Sequence, residues 1–180
     1  MRFEDILGNG RLWAVVYDGD DRDVLSKTLS DWMNPVYLGL FFSENADDLE
    51  RYFHITNIDS AIFDTIADAA SLSCVILDID PNANLDELFR PLENSRIREM
   101  LLSREKAKGK RQSGHPSWLR IYAIKLDSKV YLVTGGAIKL TPTMNEREHT
   151  RMELQRMDKV RNYLIDNGIV DAEGIIDYNS

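Results

Sequence analysis

The chain has 180 residues, of which 43% are hydrophobic, and this suits one globular domain. Its single cysteine excludes an internal disulfide, and with it the class of secreted scaffolds held together by disulfides. The formal net charge of −8 excludes a uniformly basic nucleic-acid-binding protein, but the charge is uneven. Residues 1–95 carry a balance of −13 and residues 96–180 a balance of +5, so a local basic surface stays open.

The sequence does not predict membrane association. No apolar run approaches the roughly 18 residues that a membrane-spanning helix needs. The N-terminal residues lack the apolar core of a signal peptide. We therefore expect a cytoplasmic protein that does not bind a membrane.

The first part of the chain predicts one strand followed by helices. Residues 11–17 form a dense apolar run that is typical of a buried strand. Apolar residues at helical spacing predict a helix over 24–32, a short second helix within 36–42, and a third that begins near residue 57 or 59. Residues 74–77 fit either the end of that third helix or a strand.

A basic segment separates this part from the next. Residues 94–116 are rich in lysine and arginine and contain few apolar side chains. We expect them to form a mobile loop. The loop joins an acidic, mostly helical part (11–93) to a strand–strand–helix part (117–168) within one domain of residues 1–180.

The strand–strand–helix part has the clearest pattern. Residues 118–126 and 130–139 are rich in β-branched and aromatic side chains and predict a β-hairpin. Gly135 and Gly136 interrupt the second strand, which is typical of a bulge or of a close backbone approach. A capping box at 143–146 begins a helix over 144–166. The apolar stripe of this helix consists of Leu154, Met157, Val160 and Leu164.

These patterns predict the α+β class. We expect a twisted antiparallel sheet centred on the 118–139 hairpin, with helices packed on one face and a long C-terminal helix.

Metal and cysteine chemistry have weak signals. His54, His115 and His149 are far apart and lack cysteine or carboxylate partners at the usual ligand spacings. Cys74 lies in an apolar run without a basic neighbour that would lower the pKa of its thiol, which is typical of a small buried side chain. We therefore predict no metal and no cofactor.

The basic residues are the stronger candidates. Arg120 lies inside an apolar strand, where a charge must reach solvent or find a partner, and Lys139 ends the neighbouring strand. If the basic segment folds over the sheet, its cations join both residues on one face and bind the phosphates of RNA. The candidate RNA-binding residues are Lys106, Lys108, Lys110, Arg111, His115 and Tyr122. In the alternative, Arg120 pairs with a carboxylate and the other bases are merely solvated.

The order of residues also resembles a known family. An Arg-aliphatic-Tyr strand at 120–122, an aliphatic strand at 130–133, Lys139, and a Thr-Pro-Thr step into a helix are similar to the second half of RelE/HigB-type toxins, especially their phage-derived branch. The match covers residues 118–164, and residues 11–42 more loosely. The chain departs from the family in being longer and acidic, and in having one lysine where the family has a pair.

The resemblance implies a small α+β protein that cleaves mRNA, usually on the ribosome, with positioned basic residues and without a metal. It places Arg120 and Lys139 at the catalytic basic positions. It also implies RNA or the ribosome, and an antitoxin-like protein, as partners. Two alternatives stay open: a nucleic-acid-binding module without cleavage, and a non-enzymatic interaction protein whose acidic part is the partner surface.

Overall fold

The computed structural model describes residues 1–92, 103–108 and 114–180. The described residues form one mixed β-sheet and α-helices, which confirms the α+β class. The strands are β1 (Arg2–Asp5), β2 (Leu12–Val16), β3 (Arg90–Pro91), β4 (Ser103–Lys108), β5 (Leu119–Asp127) and β6 (Val130–Ile138). The helices are α1 (Val24–Trp32), α2 (Pro35–Glu44), α3 (Ala46–Phe53), α4 (Ile58–Leu77), α5 (Glu148–Asp166) and α6 (Ala172–Tyr178).

The sheet has the strand order β1-β2-β6-β5-β4-β3. The predicted hairpin of β5 and β6 is confirmed, and it lies at the centre of this order. The expectation of a purely antiparallel sheet is wrong, because β2 pairs with β6 in parallel. A parallel pair needs a long crossover, and here helices α1 to α4 lie between the two strands in sequence.

The glycine pair in β6 lies beside a bulge, as predicted, and each glycine faces a side chain that approaches it closely. The register of the hairpin shifts between Tyr122 and Ala123. A Cβ atom on Gly135 would lie 1.9 Å from Glu153 Oε2, and one on Gly136 would lie 2.7 Å from Thr28 Cγ2. Successive residues of a strand point to opposite faces, so α5 and α1 approach β6 from opposite sides. The expectation of helices on one face is therefore wrong.

Helix α4 differs from its prediction in two respects. It begins after the N-cap residue Asn57, as expected, but continues to Leu77, so residues 74–77 are helical and Cys74 is exposed rather than buried. By length and composition it is long and apolar enough to cross a membrane, contrary to the expectation that no run is. It packs against α1, α2 and β5, and 33% of its apolar window is buried.

The C-terminal region forms two helices. The capping box of Thr143 and Glu146 is confirmed, but it closes a short 3₁₀ turn, and α5 begins at Glu148. Met157, Val160 and Leu164 are buried as predicted, while Leu154 is half-buried. The last helix is the short α6, so the long helix is the penultimate one.

The prediction of a basic loop is wrong for residues 103–108. These residues form β4, which pairs antiparallel with β5 and with the short β3. A strand at this position draws its stability from backbone hydrogen bonds to β5, and these need no apolar side chains. Residues 93–102 and 109–113 lie outside the described part of the chain.

Candidate functional site

A cavity of about 600 Å³ lies between strands β4 and β5, the end of α3 and the segment 139–145. It brings together four of the predicted site residues, namely Lys106, Arg120, Tyr122 and Lys139. Its described lining contains three cations and no carboxylate. The described wall of the cavity is therefore positively charged, although the chain as a whole is acidic.

The strand register explains why these residues meet. In the pairing of β4 with β5, Lys106 is opposite Tyr122 and the backbone of Lys108 is opposite that of Arg120. Arg120 and Tyr122 are two residues apart on β5, so they share one face of the sheet. The shared face of Arg120 and Tyr122 follows from the alternation of side chains along a strand, which can be read from the sequence. The position of Lys106 beside them follows from the pairing of β4 with β5, which the sequence does not show.

Arg120 has unused hydrogen-bonding capacity. Its Nη1 donates to the carbonyl oxygens of Ser117 at 2.8 Å and Leu119 at 2.7 Å. Its Nε and Nη2 make no hydrogen bond, and no carboxylate pairs with it among the described residues. Burial lowers the pKa of the guanidinium, which remains a cation at neutral pH. The alternative in which a carboxylate neutralises Arg120 is thus wrong for the described part of the chain.

Tyr122 presents a buried hydroxyl rather than an aromatic face. Its side chain is fully buried, and burial raises the pKa of its hydroxyl well above the ordinary value. Within the described ranges the hydroxyl has no hydrogen-bond partner. A fully buried ring has no free face on which a base could stack, so the unpartnered hydroxyl is the group of Tyr122 that lacks a hydrogen-bond acceptor. An unsatisfied buried hydroxyl costs about 1–3 kcal/mol, so a ligand oxygen that accepts from it would be stabilising.

Two lysines complete the positive charge. Lys139 Nζ donates to the carbonyl oxygens of Thr141 and Pro142, each at 2.6 Å. Lys106 Nζ donates to the carbonyl oxygen of Leu92 at 2.9 Å. These bonds to neutral acceptors fix the ammonium groups at the cavity wall and do not themselves cancel their charge.

The other predicted site residues are not shown in the cavity. His115 stacks on Trp118 with ring centroids 4.1 Å apart, and its Nε2 lies 3.2 Å from Asp64 Oδ2, which is a packing role outside the cavity wall. Lys108 contributes a backbone position in β4. Lys110 and Arg111 lie outside the described residues.

Sequence reasoning missed the aromatic and polar walls. Tyr52 and Phe53, at the end of α3, line the cavity, and Tyr52 is exposed. His54 ends α3 in the left-handed conformation with φ 57°, which turns the chain away after Phe53. Thr143 and Asn145 also line the cavity. The sequence contains a sign of this wall, because two aromatic residues lie directly before the end of α3. Only the tertiary structure brings these two residues beside Arg120.

Among the described residues, no group of three or more histidine, cysteine or acidic side chains is placed to hold a metal ion. Comparison with protein-family models, with curated proteins and with solved structures found no match. The RelE/HigB-type resemblance therefore stays a prediction.

Proposed function

We propose that the protein acts on RNA, and that the cavity beside Arg120 holds a phosphate group of the RNA chain. The observation that carries the proposal is the convergence of Lys106, Arg120 and Lys139 on a cavity whose described wall contains no carboxylate. Three cations in a partly enclosed space attract an anion strongly, because the low dielectric there strengthens the interaction.

The geometry suits a phosphodiester in particular. The free Nε and Nη2 of Arg120 form a planar fork that matches two phosphate oxygens. The hydroxyl of Tyr122 would donate to a neighbouring oxygen of the same ligand. The exposed ring of Tyr52 offers a face on which a base can stack.

Cleavage of the RNA, as in RelE/HigB-type toxins, is the activity that the resemblance implies. Cleavage by the 2′-hydroxyl needs a group that accepts its proton and charges that stabilise the transition state. Arg120 and Lys139 would supply the stabilising charge. The described wall contains no imidazole or carboxylate to accept the proton, and burial disfavours the phenolate of Tyr122. This observation favours a second candidate, an RNA-binding module that does not cleave.

The test compares two arginine substitutions. Arg120→Gln removes the cavity cation, whereas Arg151→Gln removes an exposed arginine on α5 that makes no described ion pair. Binding of a labelled single-stranded oligoribonucleotide would be measured by fluorescence anisotropy over a range of salt concentrations. We expect Arg120→Gln to weaken binding and to reduce the salt slope by about 0.7, the value for one phosphate contact on a single strand. Arg151→Gln should change neither.

Cleavage would be followed on the same RNA, with and without ribosomes. Cleavage by wild type that Arg120→Gln abolishes supports the toxin-type enzyme. Salt-dependent binding without cleavage supports the binding module. A wild-type protein that neither binds nor cleaves RNA in any of these assays refutes the proposal.

A further inference from the structure

A second cavity, of about 280 Å³, lies where α1, α2 and α5 meet the end of β6. The space exists because β2 pairs with β6 only over residues 131–133, which leaves 134–138 without a partner strand on that side. Tyr17 enters the gap, and its hydroxyl donates to the carbonyl oxygen of Thr134 at 2.6 Å. The aromatic side chains in the wall are Tyr17, Trp32, Tyr37 and Phe41. The charged and titratable ones are Asp20, Lys27, Asp31, His149, Glu153 and Arg156.

Glu153 is the unusual member of this wall. Its side chain is 4% exposed and lies against Gly135, where the absence of a Cβ makes room for the carboxylate. Oε1 accepts a hydrogen bond from Arg156 at 2.7 Å, but Oε2 has no partner among the described residues. A buried carboxylate oxygen without a donor is costly, and binding of a donor would remove that cost.

The positive groups of the wall are already engaged. Lys27 pairs with Asp20 at 2.8 Å, and Arg156 pairs with Glu153 Oε1 and lies 5.9 Å above the ring of Tyr17. His149 Nε2 lies 2.9 Å from the carbonyl oxygen of Ile138 and donates to it. Asp31, in contrast, has no ion-pair partner in the described part of the chain. The wall thus holds three carboxylates against two paired cations and one histidine, and Glu153 Oε2 and the carboxylate of Asp31 are its acceptors without a described donor.

We infer that this cavity binds a small organic cation, with a primary ammonium group donating to Glu153 and Asp31. The aromatic rings around it favour a cation over a neutral ligand, because their faces carry partial negative charge. The volume admits a small molecule and excludes a polymer. This site lies outside the cationic cavity and has the opposite preference for charge.

The test uses n-butylamine as the probe and n-butanol as a neutral ligand of the same shape. Binding to wild type, Glu153→Gln and Glu148→Gln would be measured by isothermal titration calorimetry. Glu148 is exposed on the same helix and outside the cavity wall, so its substitution removes one charge without touching the site. We expect wild type and Glu148→Gln to bind the amine equally and the alcohol weakly. Glu153→Gln should bind the amine at least about tenfold more weakly.

An amine affinity that is the same in Glu153→Gln as in wild type would overturn the inference, as would equal affinity for the alcohol. The absence of measurable amine binding to wild type would overturn it as well. If Glu153→Gln does not fold, Asp31→Asn provides the same comparison, because Asp31 is only half-buried. These outcomes do not depend on RNA binding, so the two proposals fail separately.

Discussion

The same chemical change, glycine to alanine, should have opposite effects at Gly136 and Gly39. In β6, a Cβ on Gly136 would lie 2.7 Å from Thr28 Cγ2, 3.0 Å from the backbone oxygen of Arg120 and 3.1 Å from Ile121 Cδ1. The backbone oxygen cannot rotate away, and Thr28 is a buried side chain on a packed helix. Overpacking of this kind costs about 1–3 kcal/mol. At Gly39, inside α2, the nearest atom is 3.8 Å away, so alanine should stabilise by about 0.5–1 kcal/mol.

The assay is urea unfolding of the two variants beside wild type, with thermal melting as a second measure. For a chain of this size, 1 kcal/mol corresponds to about 2–4 °C in Tm. Adding Thr28→Ser to Gly136→Ala removes the closest methyl group and should recover part of the loss. A Gly136→Ala variant as stable as wild type would refute the close packing of α1 on β6. A Gly39→Ala variant that is strongly destabilised would refute the open environment in α2.

Three further predictions concern stability. Burial raises the pKa of Glu153 from 4.5 to about 7, so the folded state holds the Glu153 proton more tightly than the unfolded state does. The stability that this adds to the fold is fully present below pH 4.5 and is lost as the pH rises through about 7. The stability at stake is about 3 kcal/mol. The difference in unfolding free energy between Glu153→Gln and wild type should therefore change by about that amount between pH 4.5 and 7, and a difference that does not vary with pH would contradict the prediction. Met157→Asp places a charge in the buried interface of α5 and should cost about 3–5 kcal/mol in urea unfolding; a cost near zero would mean that this helix face is not core. Asp48 is buried and accepts two 2.6 Å hydrogen bonds from Arg147, which is half-exposed. Arg147→Ala should lower the Tm more than Asp48→Ala, because it leaves the buried carboxylate without its partner. The reverse order of the two Tm values would contradict this reasoning.

The sequence alone determined the elements whose signal is local. The hairpin of β5 and β6 follows from runs of β-branched and aromatic residues, α1 from helical spacing, and the capping box from Thr143 and Glu146. Each depends on residues within a few positions of one another, so a linear pattern contains the whole signal. Arg120 was also identifiable, because a charge between two apolar strand residues needs a special environment.

Only the tertiary structure decided which distant residues meet. Strand β4 has almost no apolar pattern, and its identity depends on backbone pairing with β5, which places Lys106 opposite Tyr122. The parallel pairing of β2 with β6 and the burial of Glu153 against Gly135 likewise depend on how the helices cross the sheet. Pairing partners and burial are set by contacts between residues far apart in sequence, and single-residue properties do not encode them. The physical reason is that a side chain's charge is local, whereas the environment that makes Arg120 or Glu153 unusual is assembled from several elements.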